Sequence, residues 1–260
     1  MNRSCVLAVA ACAASAASPL PATAAAQDPF EIQVYEYITV AKGKWDLETH
    51  VNQIVRGEKS SFGSVAPTQD QTHVTFELTR GITDYFESAL YLVTARRPGV
   101  NGEFVGWRFR PRFRIPEGKL PFKFSLSTEF GFPKDTYEEA EVTFELRPII
   151  EWEWGKFDFD VNPTAGKALK GPGSNGGWDF EPGVRVGLPQ MGKWQWSVEY
   201  YGATGELTDP LPAKQQVHQF FPGFDYDFNE DVVLNVGVGI GATNAGNPFV
   251  VKMRLGWIFP

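Results

Sequence analysis

Beyond Ala26 the chain has no cysteine, because Cys5 and Cys12 both precede that point. A disulfide framework and a thiolate metal site are therefore excluded from the rest of the sequence. Long apolar runs are also missing. No stretch approaches the roughly 18 continuous apolar residues that a membrane-crossing helix needs. Histidine is scarce. His50, His73 and His218 are followed two residues on by Asn52, Thr75 and Phe220, so no Ser–His pair shares one face of a strand. HExxH, phosphate-loop and ligand-cluster patterns are absent, and neither a cofactor nor a metal is expected. An excess of positive charge is lacking as well. After Arg3 is set aside, 23 basic residues face 31 acidic ones, a net charge of −8. An acidic chain has little with which to neutralise phosphates, so nucleic acid is not an expected partner.

Residues 1–26 carry one basic residue, a short apolar run and an Ala-rich end, "ATAAA". That layout is a secretory signal, with cleavage expected after Ala26. Residues 27–44, including "FEIQVYEYITVAKGK", alternate weakly. They fit a short periplasmic strand, a plug entering a lumen, or an extended tether.

What the sequence does have is alternation. "WRFRPRFRIP", from Trp107 to Pro116, sets Arg108, Arg110, Arg112 and Arg114 at every second position, with Trp107, Phe109, Phe113 and Ile115 between them. From Trp45 onward this period of two recurs in twelve segments, approximately 45–56, 71–80, 86–95, 104–115, 121–132, 141–151, 156–166, 177–188, 193–203, 215–226, 231–242 and 249–259. Each is about ten residues, the length of a tilted membrane strand. Gly-, Pro-, Asp- and Asn-rich gaps divide them, and the gaps read as alternately long and short. An even strand count with long loops on one side and tight turns on the other predicts an all-β, transmembrane, antiparallel up-and-down barrel spanning residues 45–260.

Six of the eight tryptophans, Trp45, Trp152, Trp154, Trp194, Trp196 and Trp257, fall at strand ends beside the short turns and on the apolar parity. Indole rings favour a membrane interface, so an aromatic girdle is expected there. A soluble β-sandwich with a tryptophan-rich core is the rival reading. A motif, "FRP" (109–111), "LRP" (146–148), "FEP" (180–182) and "FFP" (220–222), recurs in even-numbered segments. Proline cannot donate to a ladder, so locally widened pairing or a bulge is expected at each.

The opposite parity is expected to face an enclosed lumen, because arginine on the lipid face costs about 2–4 kcal/mol at the midplane. The expected lining is Arg108, Arg110, Arg112, Arg114, Glu129, Glu141, Glu145, Arg147, Asp158, Asp160, Glu181 and Arg185, with Glu87 as a further counter-charge. Folding the hairpins sets Arg147 opposite Asp160 and Asp158 opposite Arg185. Each histidine reads as a polar group facing the lumen.

"VEYYGATGEL" and "QQVHQFFPGFDYDFNEDVVLNVGVGIGATNAGNPFVVKMRLGWIF" resemble the C-terminal half of a proteobacterial outer-membrane β-barrel family. "FEIQVYEY" and "GKWDLETHVN" resemble its start. That family is similar to the outer-membrane channels linked with meta-pathway phenol degradation. The resemblance implies a Gram-negative outer-membrane barrel of a family labelled channel or transporter, with outer-membrane lipid and the barrel assembly machinery as partners and a small, aromatic solute as cargo. The arginine face points separately to an anionic or carboxylate-bearing solute, because a guanidinium grips carboxylate in two places. Phe259 is followed by Pro260, a departure from the terminal aromatic that the assembly machinery reads. Two other functions stand beside the channel: a structural barrel sealed by ion pairs, and a lipid-modifying enzyme of the membrane.

Overall fold

The computed structural model describes residues 28–260; the expected signal segment, 1–26, lies outside the described residues. Fourteen strands follow in order: β1 (Trp45–Arg56), β2 (Thr72–Thr83), β3 (Phe86–Arg97), β4 (Val100–Arg114), β5 (Lys123–Pro133), β6 (Val142–Trp154), β7 (Phe157–Lys170), β8 (Asp179–Gly187), β9 (Trp194–Ala203), β10 (Gly205–Glu206), β11 (Asp209–Pro210), β12 (Val217–Asn229), β13 (Val232–Gly241) and β14 (Phe249–Phe259). Twelve build a wall in which each pairs antiparallel with the next, β9 passing directly to β12. β1 pairs with β14 from Trp45↔Phe259 onward, which closes the barrel and leaves no edge. β10 and β11 form a two-rung hairpin in the loop after β9 and touch β8 at Asp179. The described residues contain no helix.

The two faces of each strand have different fates, and this is what the sequence period of two encodes. Along β4, Trp107, Phe109 and Phe113 are exposed while Arg110 and Arg112 are buried. Leu78, Leu90, Leu92, Val198, Phe220, Ile240 and Leu255 likewise stand on the outside. Exposed apolar residues in this number mark a surface that meets lipid rather than water. Among the tryptophans, Trp154 is 75% exposed, and Trp152, Trp194, Trp196 and Trp257 are also exposed. Trp45 is half-buried, under the Arg80 guanidinium at 4.7 Å. All six lie at the ends of β1, β6, β9 and β14 on the short-turn side. Leu90, mid-strand in β3, gives a direct check. Leu90→Arg is expected to lower unfolding stability in vesicles by about 2–4 kcal/mol, read from urea titration; an unchanged midpoint would place that face elsewhere than in lipid.

The loop alternation is less regular than the sequence suggests. The third connection is only Pro98-Gly99, with Gly99 at φ 77°, because β3 and β4 continue as a paired ribbon. The fourth, expected to be tight, spans 115–122. Pairing does widen at the repeated prolines. The β4–β5 ladder steps from Phe109↔Phe130 to Arg112↔Ser127 across Pro111. The β6–β7 ladder breaks around Pro148, and the β12–β13 ladder around Pro222. The β8–β9 ladder begins only at Gly183, after Pro182. In each case the missing proline donor coincides with a gap on one side only.

Two expected pairs are corrected by register. The β6–β7 turn is the two residues Gly155-Lys156, pinned by Trp154↔Phe157 with Gly155 at φ 67°. This sets Asp160 opposite Glu151, away from Arg147. Across β7–β8, Asp160 rather than Asp158 faces Arg185, a shift of two residues.

Candidate functional site

Residues 28–44 thread the lumen. They form no strand, yet Phe30, Glu31, Ile32, Val34, Tyr35 and Tyr37 are buried. The segment starts at the long-loop end, where Asp28 pairs with Arg108. It leaves at the short-turn end, where Gly43 N donates to Gly81 O (2.8 Å) and Gly81 N donates to Lys44 O (3.0 Å). Gly81 is required at this exit. A Cβ there would collide with the Val40 and Ala41 carbonyl oxygens.

An extended peptide with no ladder still needs partners for its amides, and wall side chains provide them. Asn162 accepts from Tyr35 N (2.7 Å) and donates to Tyr35 O (3.0 Å), mimicking a strand neighbour. Glu151 accepts from Tyr37 N at 2.8 Å and Glu87 from Val40 N at 2.6 Å. Asn52 donates to Pro29 O at 2.9 Å, and Lys252 to Ile32 O at 3.2 Å. Apolar packing adds to this. Phe30 stacks on His73 at 4.3 Å and meets the Tyr137 ring at 5.7 Å. Ile32 and Val34 sit among Ile54, Tyr201, Phe221 and Val250. Each such side chain contributes about 1.5–3 kcal/mol when fully buried, which favours the seated arrangement.

The arginine ladder meets this segment edge-on. Tyr35 lies under three guanidinium groups, Arg147 at 4.5 Å, Arg110 at 5.0 Å and Arg112 at 5.5 Å from its ring centre. Its hydroxyl bonds to Glu31 and to Tyr91. Each arginine also has carboxylates. Arg108 meets Asp28 and Glu129, and Arg110 meets Glu77 and Glu87. Arg112 meets Glu87 at 3.0 Å and Arg147 meets Glu145 at 2.8 Å. Arg185 meets Asp160 and Asp225, both at 3.2 Å. Arg114 lies at the short-turn rim, donating to Asp84 O and covering the Tyr37 and Tyr85 rings. Asp158 accepts from Gln195. Glu181 faces the outer cavity.

Two of the expected lining residues are elsewhere. Glu141 precedes β6, is exposed, and pairs with Lys170 at the loop end, because its alternation continues past the barrel rim. His218 shares the outward parity of Phe220 and bonds to the Tyr200 hydroxyl at 2.7 Å. Sequence reasoning passed over Tyr35, Tyr91, Glu77, Asn162, Glu199 and Asp225. Tyr91, Glu77, Asn162, Glu199 and Asp225 are wall residues of inward parity, and that parity is the available signal; Tyr35 lies in the segment and has none.

The segment and its contacts divide the lumen into two cavities. The outer, about 640 Å³, is lined by nine carboxylates against Arg108 and Lys167. The inner, about 630 Å³, is lined by eleven carboxylates against six cations. In the loop that roofs the outer cavity, burial raises the Glu138 carboxyl above its ordinary range, against a bond from Ala140 N that lowers it.

No protein-family description matches the sequence, and no curated protein matches it by sequence. Solved structures do. The chain is similar to an outer membrane channel from Pseudomonas putida F1, with a TM-score of 0.54 and 12% identity over 88% of this chain and 100% of that one. It is similar to the NanC porin at 0.54 and 9%, over 82% and 98%. It is similar to the KdgM porin at 0.51 and 9%, over 83% and 98%. At these identities the likeness shows the architecture: a closed barrel of the outer-membrane channel and porin form.

Proposed function

We propose that this barrel is an outer-membrane channel for small solutes, closed at rest by residues 28–44 and favouring cations and neutral molecules over anions. The observation that carries the reading is the pair of cavities separated by a threaded segment that is held through side chains rather than a sheet ladder. A segment held this way can withdraw without breaking the wall.

An anionic cargo was the expectation from the arginine ladder. Arg108, Arg110 and Arg112, however, are each paired with carboxylates, and carboxylates remain in surplus on both sides. Withdrawal removes Asp28, Glu31 and Glu36 with the segment, and the surplus persists. A lumen with excess negative charge concentrates cations and repels anions. The resemblance to channels of phenol degradation supports a neutral aromatic cargo, which meets no charge barrier here. Gram-negative outer-membrane location fits the lipid-facing wall and its tryptophan-rich end.

Planar bilayers under a potassium chloride gradient test this. Open events are expected to reverse on the cation side of zero. Reversal on the anion side would overturn the charge reading. A lumen that passes no current in any form of the protein would leave a structural barrel sealed by ion pairs.

A further inference from the structure

Three side chains on the inner wall converge without bonding to one another. Glu48 on β1 and Glu77 on β2 stand directly opposite in the ladder, a position where like charges repel. His50 lies one pleat along β1 from Glu48. Its Nε2 is 3.3 Å from Glu48 Oε2 and 3.8 Å from Glu77 Oε2. His50 and Glu77 are each 1% exposed. The other oxygen of each carboxylate is already used, Glu48 Oε1 by Arg254 and Glu77 Oε1 by Arg110. Glu77 Oε2 and His50 Nε2 are buried with no hydrogen-bond partner.

Ligand atoms around a tetrahedral ion with bonds of about 2.0–2.1 Å stand about 3.3 Å apart. The His50–Glu48 separation has that length, Glu77 Oε2 stands about half an ångström farther out, and the three ligand atoms all lie within 4.8 Å of one another. We propose that Glu48 Oε2, Glu77 Oε2 and His50 Nε2 form a three-ligand site for a divalent transition metal of the zinc type. One imidazole with two carboxylates suits zinc, iron, nickel or manganese better than calcium, which prefers an all-oxygen shell. The ion bridges the two carboxylate oxygens that Arg254 and Arg110 leave free. Its fourth position opens toward the inner cavity, which Glu48 and Glu77 line.

The N-terminal segment touches this site. With its amide turned to satisfy both neighbours, Gln33 donates to Glu48 Oε2 at 3.2 Å and accepts from Arg254 at 3.0 Å. An ion on Glu48 Oε2 competes for that oxygen, so metal uptake and seating of Gln33 oppose each other. The site itself does not depend on the channel reading, because metal uptake is read on the closed barrel.

Calorimetric titration of the untagged, full-length barrel in detergent with zinc chloride tests the site. One zinc per chain is expected. His50→Ala should abolish that uptake and Glu77→Gln should weaken it. His73→Ala, a change at the other buried histidine of the lumen, should leave it intact. Heat-modified electrophoretic mobility reports whether each variant is folded. X-ray absorption of the zinc-loaded wild-type chain adds a readout that needs no variant. It should show a nitrogen and oxygen shell at about 2.0–2.1 Å with imidazole scattering. Equal uptake by the wild type and His50→Ala, no stoichiometric uptake, or a shell without imidazole would overturn the proposal. An imidazolium lying between the two carboxylates would then account for the cluster.

Discussion

Deleting residues 28–41 turns a barrel of low conductance into one with large, steady current steps. The expected rise is on the order of tenfold, because a twelve-stranded wall encloses a water-wide lumen once nothing else fills it. The segment buries Phe30, Ile32, Val34, Tyr35 and Tyr37 against the wall, so little of the passage remains while it is seated. The wall does not need the segment to close, since β1 and β14 pair independently of it. The variant should therefore fold and insert. A folded deletion variant with the conductance of the full chain would show that Arg110, Arg147 and their neighbours seal the lumen themselves.

The second large effect is at Arg110, which is 3% exposed. It donates to Tyr91 at 2.7 Å and Glu87 at 3.1 Å, pairs with Glu77, and lies over Tyr35. Arg110→Met leaves Glu77 without this partner in a confined space. Breaking a buried pair from one side costs about 3–5 kcal/mol, and urea unfolding in vesicles should show a loss of that size. Arg110→Met combined with Glu77→Gln should recover part of it, because no carboxylate is then stranded at position 77. Lys170→Met is the control. Its partner Glu141 is exposed, and such surface pairs are worth about 0–1 kcal/mol. Equal losses at positions 110 and 170 would mean that the lumen network is as solvated as the surface.

Much of the architecture was legible because lipid and water impose opposite demands on alternate residues. The strand count, the inward arginines of β4 and the tryptophan-rich end all follow from that single constraint. Register was harder. Asp160 meets Arg185 rather than Arg147 because turn geometry fixes pairing, and turns such as Gly155-Lys156 leave only a faint trace in composition. Glu141 shows a related limit, since alternation runs on into ribbons and loops that have left the wall.

The site was legible only in part, for a different reason. Residues 28–44 alternate in sequence but pair with no neighbouring strand, so their alternation does not tell a strand from a plug or a tether. Their burial depends on groups far away in sequence: Asn162 serves both the amide and the carbonyl of Tyr35, and Glu151, Glu87 and Lys252 serve one backbone group each. Nothing local to "FEIQVYEY" reveals those partners. The anionic cargo expected from Arg108 to Arg114 is limited in the same way, because the carboxylates that pair with Arg108, Arg110 and Arg112 lie elsewhere in the chain.

The account rests on the N-terminal segment lying inside the barrel beside β8. A Cβ on Gly183 would lie 3.4 Å from Val34 Cγ2, within the reach of a disulfide. The chain has no cysteine after Cys12, so a Val34→Cys, Gly183→Cys pair can be read without background. Mild oxidation of the folded, membrane-inserted protein should join the two positions in most molecules and hold the conductance at its resting level, with reduction releasing both. Two thiols that stay free and react with a water-soluble maleimide would contradict the threaded lumen.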